Sequence, residues 1–254
     1  MIDFIPCFIN SRGRIWKGER AMDKNKLAHE IVEAGRRIYQ SGFVAANDGN
    51  ISVRIDTEHV LITPSGVSKG FMEADALLLV NLTSGETIEG QGRPSTESAM
   101  HFDIYRHRPD VQAIVHAHPP TATGFAVAGI PLDELALPEL IVTMGTIPLA
   151  PYATPGTEAL PETLRPFYKE HDAILLANHG AVTMGQSLTE ALFKMESVEM
   201  CAKILFTARM LGRVQELSDE QVDRLVDARS FYGLKGAHPG KKIIEQRRNK
   251  EEKS

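Results

Sequence analysis

The chain is poor in cysteine, in long apolar runs and in charge of one sign, and each shortage closes off a class of function. Its two cysteines, Cys7 and Cys201, stand far apart with no CxxC spacing. Neither a disulfide framework nor a cysteine-based metal site is therefore expected. No stretch approaches the ~20 apolar residues that span a bilayer, so no membrane partner is expected. The net charge is only -5 over 254 residues, which gives no general pull toward nucleic acid or an anionic lipid surface. The phosphate fingerprints GxGxxG and GxxxxGKS are absent too, and with them motif support for a nucleotide fold. The expectation is a soluble protein of a reducing compartment, the cytoplasm. Its apolar content of 43% is enough for one good core.

What is present is an irregular alternation of helix and strand patterns. Leu27, Ile31, Ile38 and Tyr39 recur near helical spacing, and Gly42 sits where a C-terminal cap belongs. "ISVRI" and "HVLIT" read as a strand hairpin, "ALLLVNL" and "VQAIVHAH" as strands, and "AILLANHGAVTMG" as a second hairpin. "STESAMHFDIYRHR" reads as a helix with Ser95 or Thr96 as its N-cap. "PTATGFAVAG" reads as a small-residue helix, and "TEALPETLRPFYKEH" as a helix with a proline bend. Residues 188–211 form a long amphipathic pattern, and "SDEQVDRLVDAR" gives a last helix. Hairpins mixed with helices favour an α/β fold with a largely antiparallel sheet over a doubly wound parallel one. The domain is expected over residues 22–238, followed by a charged, solvated tail over 239–254. Residues 1–21 lack a signal-peptide pattern. Two readings of them stay open: upstream sequence with Met22 as the true start, or an N-terminal arm.

The chemistry concentrates in residues 92–122, where Glu97 precedes a His-x-His pair, His116 and His118. Strand side chains alternate faces, so both imidazoles point to one side. They are a ready-made pair of nitrogen ligands, though buried, hydrogen-bonded histidines would give the same pattern. His179, at the end of another apolar strand, could join them at one rim of a sheet. Three protein ligands and an open position are what a catalytic zinc site needs. His29, His59, His107 and His171 are expected at the surface, and His101 in a structural role one turn beyond Glu97. The turns "DGN" (48–50), "PSG" (64–66) and "PST" (94–96) each expose backbone N–H groups and hydroxyls suited to an anion.

These pieces also resemble a known family. "NDGNISVR", "LITPSGVSKG", "RPSTE", "RPDVQAIVHAHPPTATGFAVAG", "APYATPGT", "LLANHGAV" and "FYGLKG" stand in the order of the class II aldolase/adducin family. The resemblance implies a three-layer α/β/α sandwich around a mostly antiparallel sheet. It implies Zn²⁺ on His116, His118 and His179, with Glu97 ligating in the empty site and acting as base once substrate arrives, a task that a raised pKa would help. Asn50, Ser65, Gly66, Ser95 and Thr96 match the family's phosphate-binding positions. Tyr232 matches an active-site tyrosine of the aldolases' C-terminal segment. The implied activity is cleavage of a small phosphorylated sugar, a ketose-1-phosphate, by a homotetramer. Glu97 favours aldolase over the family's epimerases, which carry aspartate there. Leu137 and Pro155 depart from the aromatic residues that fuculose-phosphate aldolases place on the aldehyde side. A 3-oxo acid 4-phosphate decarboxylase and a non-catalytic, adducin-like module are the alternatives.

Overall fold

The protein is described here as a computed structural model covering residues 24–252; the expectation for residues 1–21 lies outside the described residues. The strands are β1 (Asn50–Arg54), β2 (His59–Ile62), β3 (Leu78–Asn81), β4 (Thr87–Glu89), β5 (Ala113–Ala117), β6 (Leu149–Ala150), β7 (Ala173–Leu176) and β8 (Gly180–Gly185). The helices are α1 (Lys24–Gln40), α2 (Ser98–His107), α3 (Pro120–Val127), α4 (Pro138–Thr143), α5 (Ala159–Leu164), α6 (Leu188–Met210), α7 (Asp219–Phe231) and α8 (Lys242–Glu251). All the strands join one sheet in the order β4-β3-β2-β1-β5-β8-β7-β6. Every neighbouring pair is antiparallel except β6 with β7. The α/β expectation with a largely antiparallel sheet therefore holds.

Alternation along the central strands sorts the side chains into two cores. Ile51, Val53, Ala113, Val115, Ala117 and Ala181 face the core shared with α1, α3 and α6. Ile114, Ile174, Val182 and Met184 face the core shared with α2 and α5. The period of two puts Asn50, Ser52 and His116 on this second face, the side on which α2 lies. That register places the chemistry: Asn50 of β1 stands directly opposite His116 of β5.

Local endings follow from residue type. Gly42, at φ +71°, lets the chain leave α1 while Phe43 N–H returns to Ile38 C=O at 2.9 Å, a left-handed cap that a side chain would strain. Ser187 caps α6 by accepting from Glu190 N–H, and Ser218 with Gln221 forms a reciprocal capping box on α7. The expected cap of α2 is displaced. Glu97 itself occupies the N-cap, without a side-chain capping bond, because its carboxylate is drawn toward the histidines.

The C-terminal tail differs more. Residues 239–254 were expected to be solvated, yet α8 buries Ile243 and Ile244 against Leu135, Ile141 and Val222. Arg247 ties it to Asp219 and donates to Leu217 C=O at 2.7 Å. Two adjacent isoleucines suffice to dock a helix that is otherwise almost wholly charged. Ile243→Ala is expected to cost about 2–4 kcal/mol, seen as a lower denaturant midpoint; an unchanged midpoint would mean that α8 is not part of the cooperative fold.

Candidate metal and phosphate site

Four chain segments meet at one end of the central strands. β5 ends at Ala117, so His116 and His118 lie at its exit. β7 and β8 are joined by a three-residue turn of Ala177, Asn178 and His179. Asn178 takes φ +57°, a left-handed conformation that asparagine tolerates, and His179 follows it at the rim. Gly180 has no room for a side chain: a Cβ there would lie 2.6 Å from both Ala117 C=O and the His118 ring. The absence of that atom lets the two histidine-bearing segments close on each other.

The ligand atoms of His116, His118 and His179 all lie within 4.8 Å of one another. Glu97 joins them, with Oε2 3.2 Å from His116 Nε2 and Oε1 3.0 Å from His179 Nε2. His116 Nδ1 bonds to Ala181 C=O at 2.9 Å, which fixes its tautomer and turns Nε2 inward, the arrangement usual for a metal-binding histidine. His116 Nε2 and His118 Nε2 are 3.2 Å apart. Despite its proximity to His179, Glu97 Oε1 is buried without a properly aligned hydrogen bond. A buried oxygen without a partner among converging ring nitrogens is an arrangement suited to a cation. The donor set of three imidazoles and one carboxylate fits a divalent ion of the zinc type.

The ionisable groups of the cluster also act on one another. Burial pushes the His118 imidazole down to about 3, reinforced by His116 and His179, so its lone pair is free at neutral pH. Burial opposes ionisation of Glu97, but His116 and His179 outweigh it and hold the carboxyl far below its usual range. The expected upward shift of Glu97 is therefore not found in this state. The carboxylate is ionised, as a base or a ligand must be.

Behind Glu97 runs a buried polar chain. Asn50 donates from Nδ2 to Glu97 Oε2 at 2.9 Å and to Ser95 Oγ at 3.1 Å. Its Oδ1 accepts from His101 Nε2 at 2.5 Å, and His101 Nδ1 meets Ser52 Oγ at 2.7 Å. Tyr105 OH closes the chain on Ser52 C=O at 3.0 Å. Burial keeps His101 neutral by lowering it to about 3, so one ring nitrogen donates and the other accepts. The structural role expected of His101 is thus specific: it sets the orientation of the Asn50 amide. Ser52 and Tyr105 escaped the sequence reading, although Ser52 on the Asn50 face of β1 was a detectable signal. His171, expected at the surface, is buried, with Nδ1 3.1 Å from Thr146 C=O.

Beside the histidines opens a polar cleft of about 210 Å³. Asn50, Ser65, Gly66, Ser95, Thr96 and Glu97 all line it, together with His118, His179 and Pro155. The three predicted turns therefore converge on one space. Lys69, which the sequence reading passed over, also borders it. Its place in "GVSKG", just before Gly70, was its only mark. Tyr232 stands apart: it ends α7, 64% exposed, its ring packed on Phe231. The following residues Gly233–Lys235 lie beside Gln186 and Ser187, at the far end of β8 from His179. Leu137 begins α4 and packs against the α1–α3–α6 core, so it does not line the cleft.

With this geometry in view, the family model for the class II aldolase and adducin N-terminal domain matches residues 29–206. The chain belongs to the class II aldolase/adducin family. It is 36% identical over 181 residues to 3-oxo-tetronate 4-phosphate decarboxylase of Pectobacterium atrosepticum, covering 70% of this chain and 82% of the relative. It is 33% identical over 210 residues to 5-deoxy-D-ribulose 1-phosphate aldolase of Bacillus thuringiensis serovar kurstaki, covering 82% and 97%. Among solved structures, an L-fuculose 1-phosphate aldolase superposes with a TM-score of 0.75 at 30% identity, covering 82% and 98%.

Alanine at His116, His118 or His179 is expected to abolish stoichiometric divalent-metal binding, measured by elemental analysis, while circular dichroism keeps its native form. Gly180→Ala should lower metal affinity roughly 10–100-fold, the scale seen when support of a ligand is lost.

Proposed function

We propose that the protein is a zinc-dependent aldolase acting on a ketose-1-phosphate, of the L-fuculose-1-phosphate or 5-deoxypentulose-1-phosphate type. It would yield dihydroxyacetone phosphate and an aldehyde, reversibly. The relatives that the chain matches within the family are aldolases and decarboxylases, which makes it a metal-dependent lyase. One observation carries the finer reading: an ionised carboxylate beside three imidazoles at the edge of a cleft walled by three anion-suited turns.

When bound, the ion supplies Lewis acidity for the negative charge that develops on the substrate's carbonyl and hydroxyl oxygens. His116, His118 and His179 would hold it, with Glu97 as a fourth ligand until substrate enters. In cleavage the C3–C4 bond breaks, its electron pair stays on C3, and the C4 hydroxyl gives its proton to the ionised Glu97 carboxylate as C4 becomes the aldehyde carbon. Glu97, at the α2 N-cap, is positioned to return a proton to C3, and to take it again in the synthetic direction. Asn50 holds the carboxylate in place through its amide. Ser65, Gly66, Ser95 and Thr96 offer hydroxyl and backbone donors to the phosphate, so that binding at the unreactive end aligns the reacting carbon.

Further parts of the reading rest on packing. Helices against both faces of the sheet support the three-layer α/β/α sandwich. The domain would take in the described residues from Lys24 onward, with α8 closing over it through Ile243 and Ile244. Phe193, Met200, Ile204, Phe206, Met210 and Leu211 of α6 and its end are exposed, and a mostly apolar cavity of about 590 Å³ opens between α3 and α6. This face would be covered in a homotetramer. In such an assembly, Tyr232, held away from its own chain's cleft, would serve a neighbouring site.

The 36% identity to a decarboxylase sustains a second reading, in which the same site removes a carboxylate as carbon dioxide. Against it, among the described residues no arginine lines the cleft, which leaves Lys69 as its one lysine or arginine cation to share between a phosphate and that carboxylate. Metal-loaded protein assayed with a panel of ketose-1-phosphates is expected to release dihydroxyacetone phosphate; carbon dioxide from a 3-oxo acid 4-phosphate instead would select the decarboxylase. Glu97→Gln should retain binding of dihydroxyacetone phosphate but lose about 10²–10⁴-fold in turnover. Unchanged turnover would remove Glu97 from its role as base.

A further inference from the structure

Lys69 is 1% exposed, an unusual position for an ammonium group unless its charge is used. Its Nζ donates to Asn47 C=O at 2.9 Å and to Val67 C=O at 2.7 Å. These carbonyls belong to different segments, the turn leading into β1 and the loop after β2. Both segments wall the polar cleft, which Lys69 itself borders. α1 packs directly on the lysine backbone: a Cβ on Gly35 would lie 2.9 Å from Lys69 C=O. The side chain is therefore held on two sides, and its position is set before any ligand arrives.

An ammonium has three donors, and the two carbonyls use two of them. Asp48 and Glu97 are the acids that act on Lys69 electrostatically. Glu97 is already shared between His116 and His179, and the Asp48 side chain is half exposed. The buried positive charge is left without a dedicated counter-ion in a cleft whose other donors, the two histidines aside, are neutral hydroxyls and amides.

We infer that Lys69 is the charged residue of the substrate-anion subsite, fixing the two loops together through their carbonyls and presenting its third N–H to a phosphate oxygen. This rests on the reading of the cleft as a phosphate site. It adds a residue to that site and a reason for its rigidity: the group that neutralises the anion is the one that sets the loop spacing. A compact ammonium with three rotatable donors suits the task.

The test compares dihydroxyacetone phosphate with dihydroxyacetone, each titrated calorimetrically into metal-loaded wild type and Lys69→Met. The wild type is expected to prefer the phosphorylated ligand. Lys69→Met should lose about 10–100-fold for dihydroxyacetone phosphate, the scale of one charge-assisted hydrogen bond, while its metal content and its affinity for dihydroxyacetone stay unchanged. Equal loss for both ligands would reduce Lys69 to a structural strut, and no loss for either would remove it from the subsite; both outcomes overturn the inference. A wild type without preference for the phosphorylated ligand would instead sink the phosphate reading, and this inference with it. Should the variant fail to fold, a crystal structure of the wild type with inorganic phosphate decides. Nζ within ~3.2 Å of a phosphate oxygen supports the assignment, and a separation beyond ~4 Å overturns it.

Discussion

A buried carboxylate shared between imidazoles is the constraint on which the arrangement depends. Glu97 is 9% exposed, and an isolated charge at that depth would carry a large desolvation penalty. His116, His179 and Asn50 offset it from three different segments of the chain. Each contact is also a tertiary link: α2 to β5, α2 to the β7–β8 turn, and α2 to β1. The electrostatics of the site and the docking of α2 on the sheet are one set of interactions. Removing the carboxylate charge therefore acts on geometry as well as on chemistry.

Register propagates this constraint. Because Asn50 is paired across from His116, the residue that holds the carboxylate and the residue that would hold the metal move together. A slip of one residue in β1 or β5 would send one of them to the opposite face. The chain from Asn50 through His101 and Ser52 to Tyr105 then carries the fixation back along α2. Every member has a defined donor or acceptor role, the condition under which a buried polar network rigidifies rather than weakens a core.

The parts of the site that were legible in the sequence are those with a short-range signature. Two histidines at spacing two on a strand must share a face, and turns rich in glycine, serine and asparagine announce exposed donors. The hairpin ending in Asn178 and His179 was equally readable from its apolar flanks. What escaped depends on tertiary contact. Lys69 looks like any loop lysine until two carbonyls and a helix close around it. The α8 helix is masked because its composition is almost wholly charged, and only Ile243 and Ile244 meet the core. The α2 cap was misplaced because local preference favours serine or threonine there, whereas the pull of the histidines on Glu97 is not local. The short strand β4 and helix α4 have too few residues to establish a period.

The two halves of the substrate make unequal demands on this architecture. Aldol cleavage and decarboxylation of a 3-oxo acid both break a carbon–carbon bond and leave its electron pair beside a carbonyl. On the proposed reading, the same cation, the same carboxylate and the same polar cleft would serve either reaction. What distinguishes them is the departing fragment, an aldehyde in one case and carbon dioxide in the other. The groups that would meet that fragment are those least fixed by the sheet. Pro155 lines the cleft from a loop, and the residues that follow Tyr232 lie beside Gln186 and Ser187, past the other end of β8. On that reading, the β-sheet register would set the chemistry at the electron-accepting carbon, and the periphery of the site would set which fragment leaves. Substrate choice can change there without disturbing the buried carboxylate and its histidines.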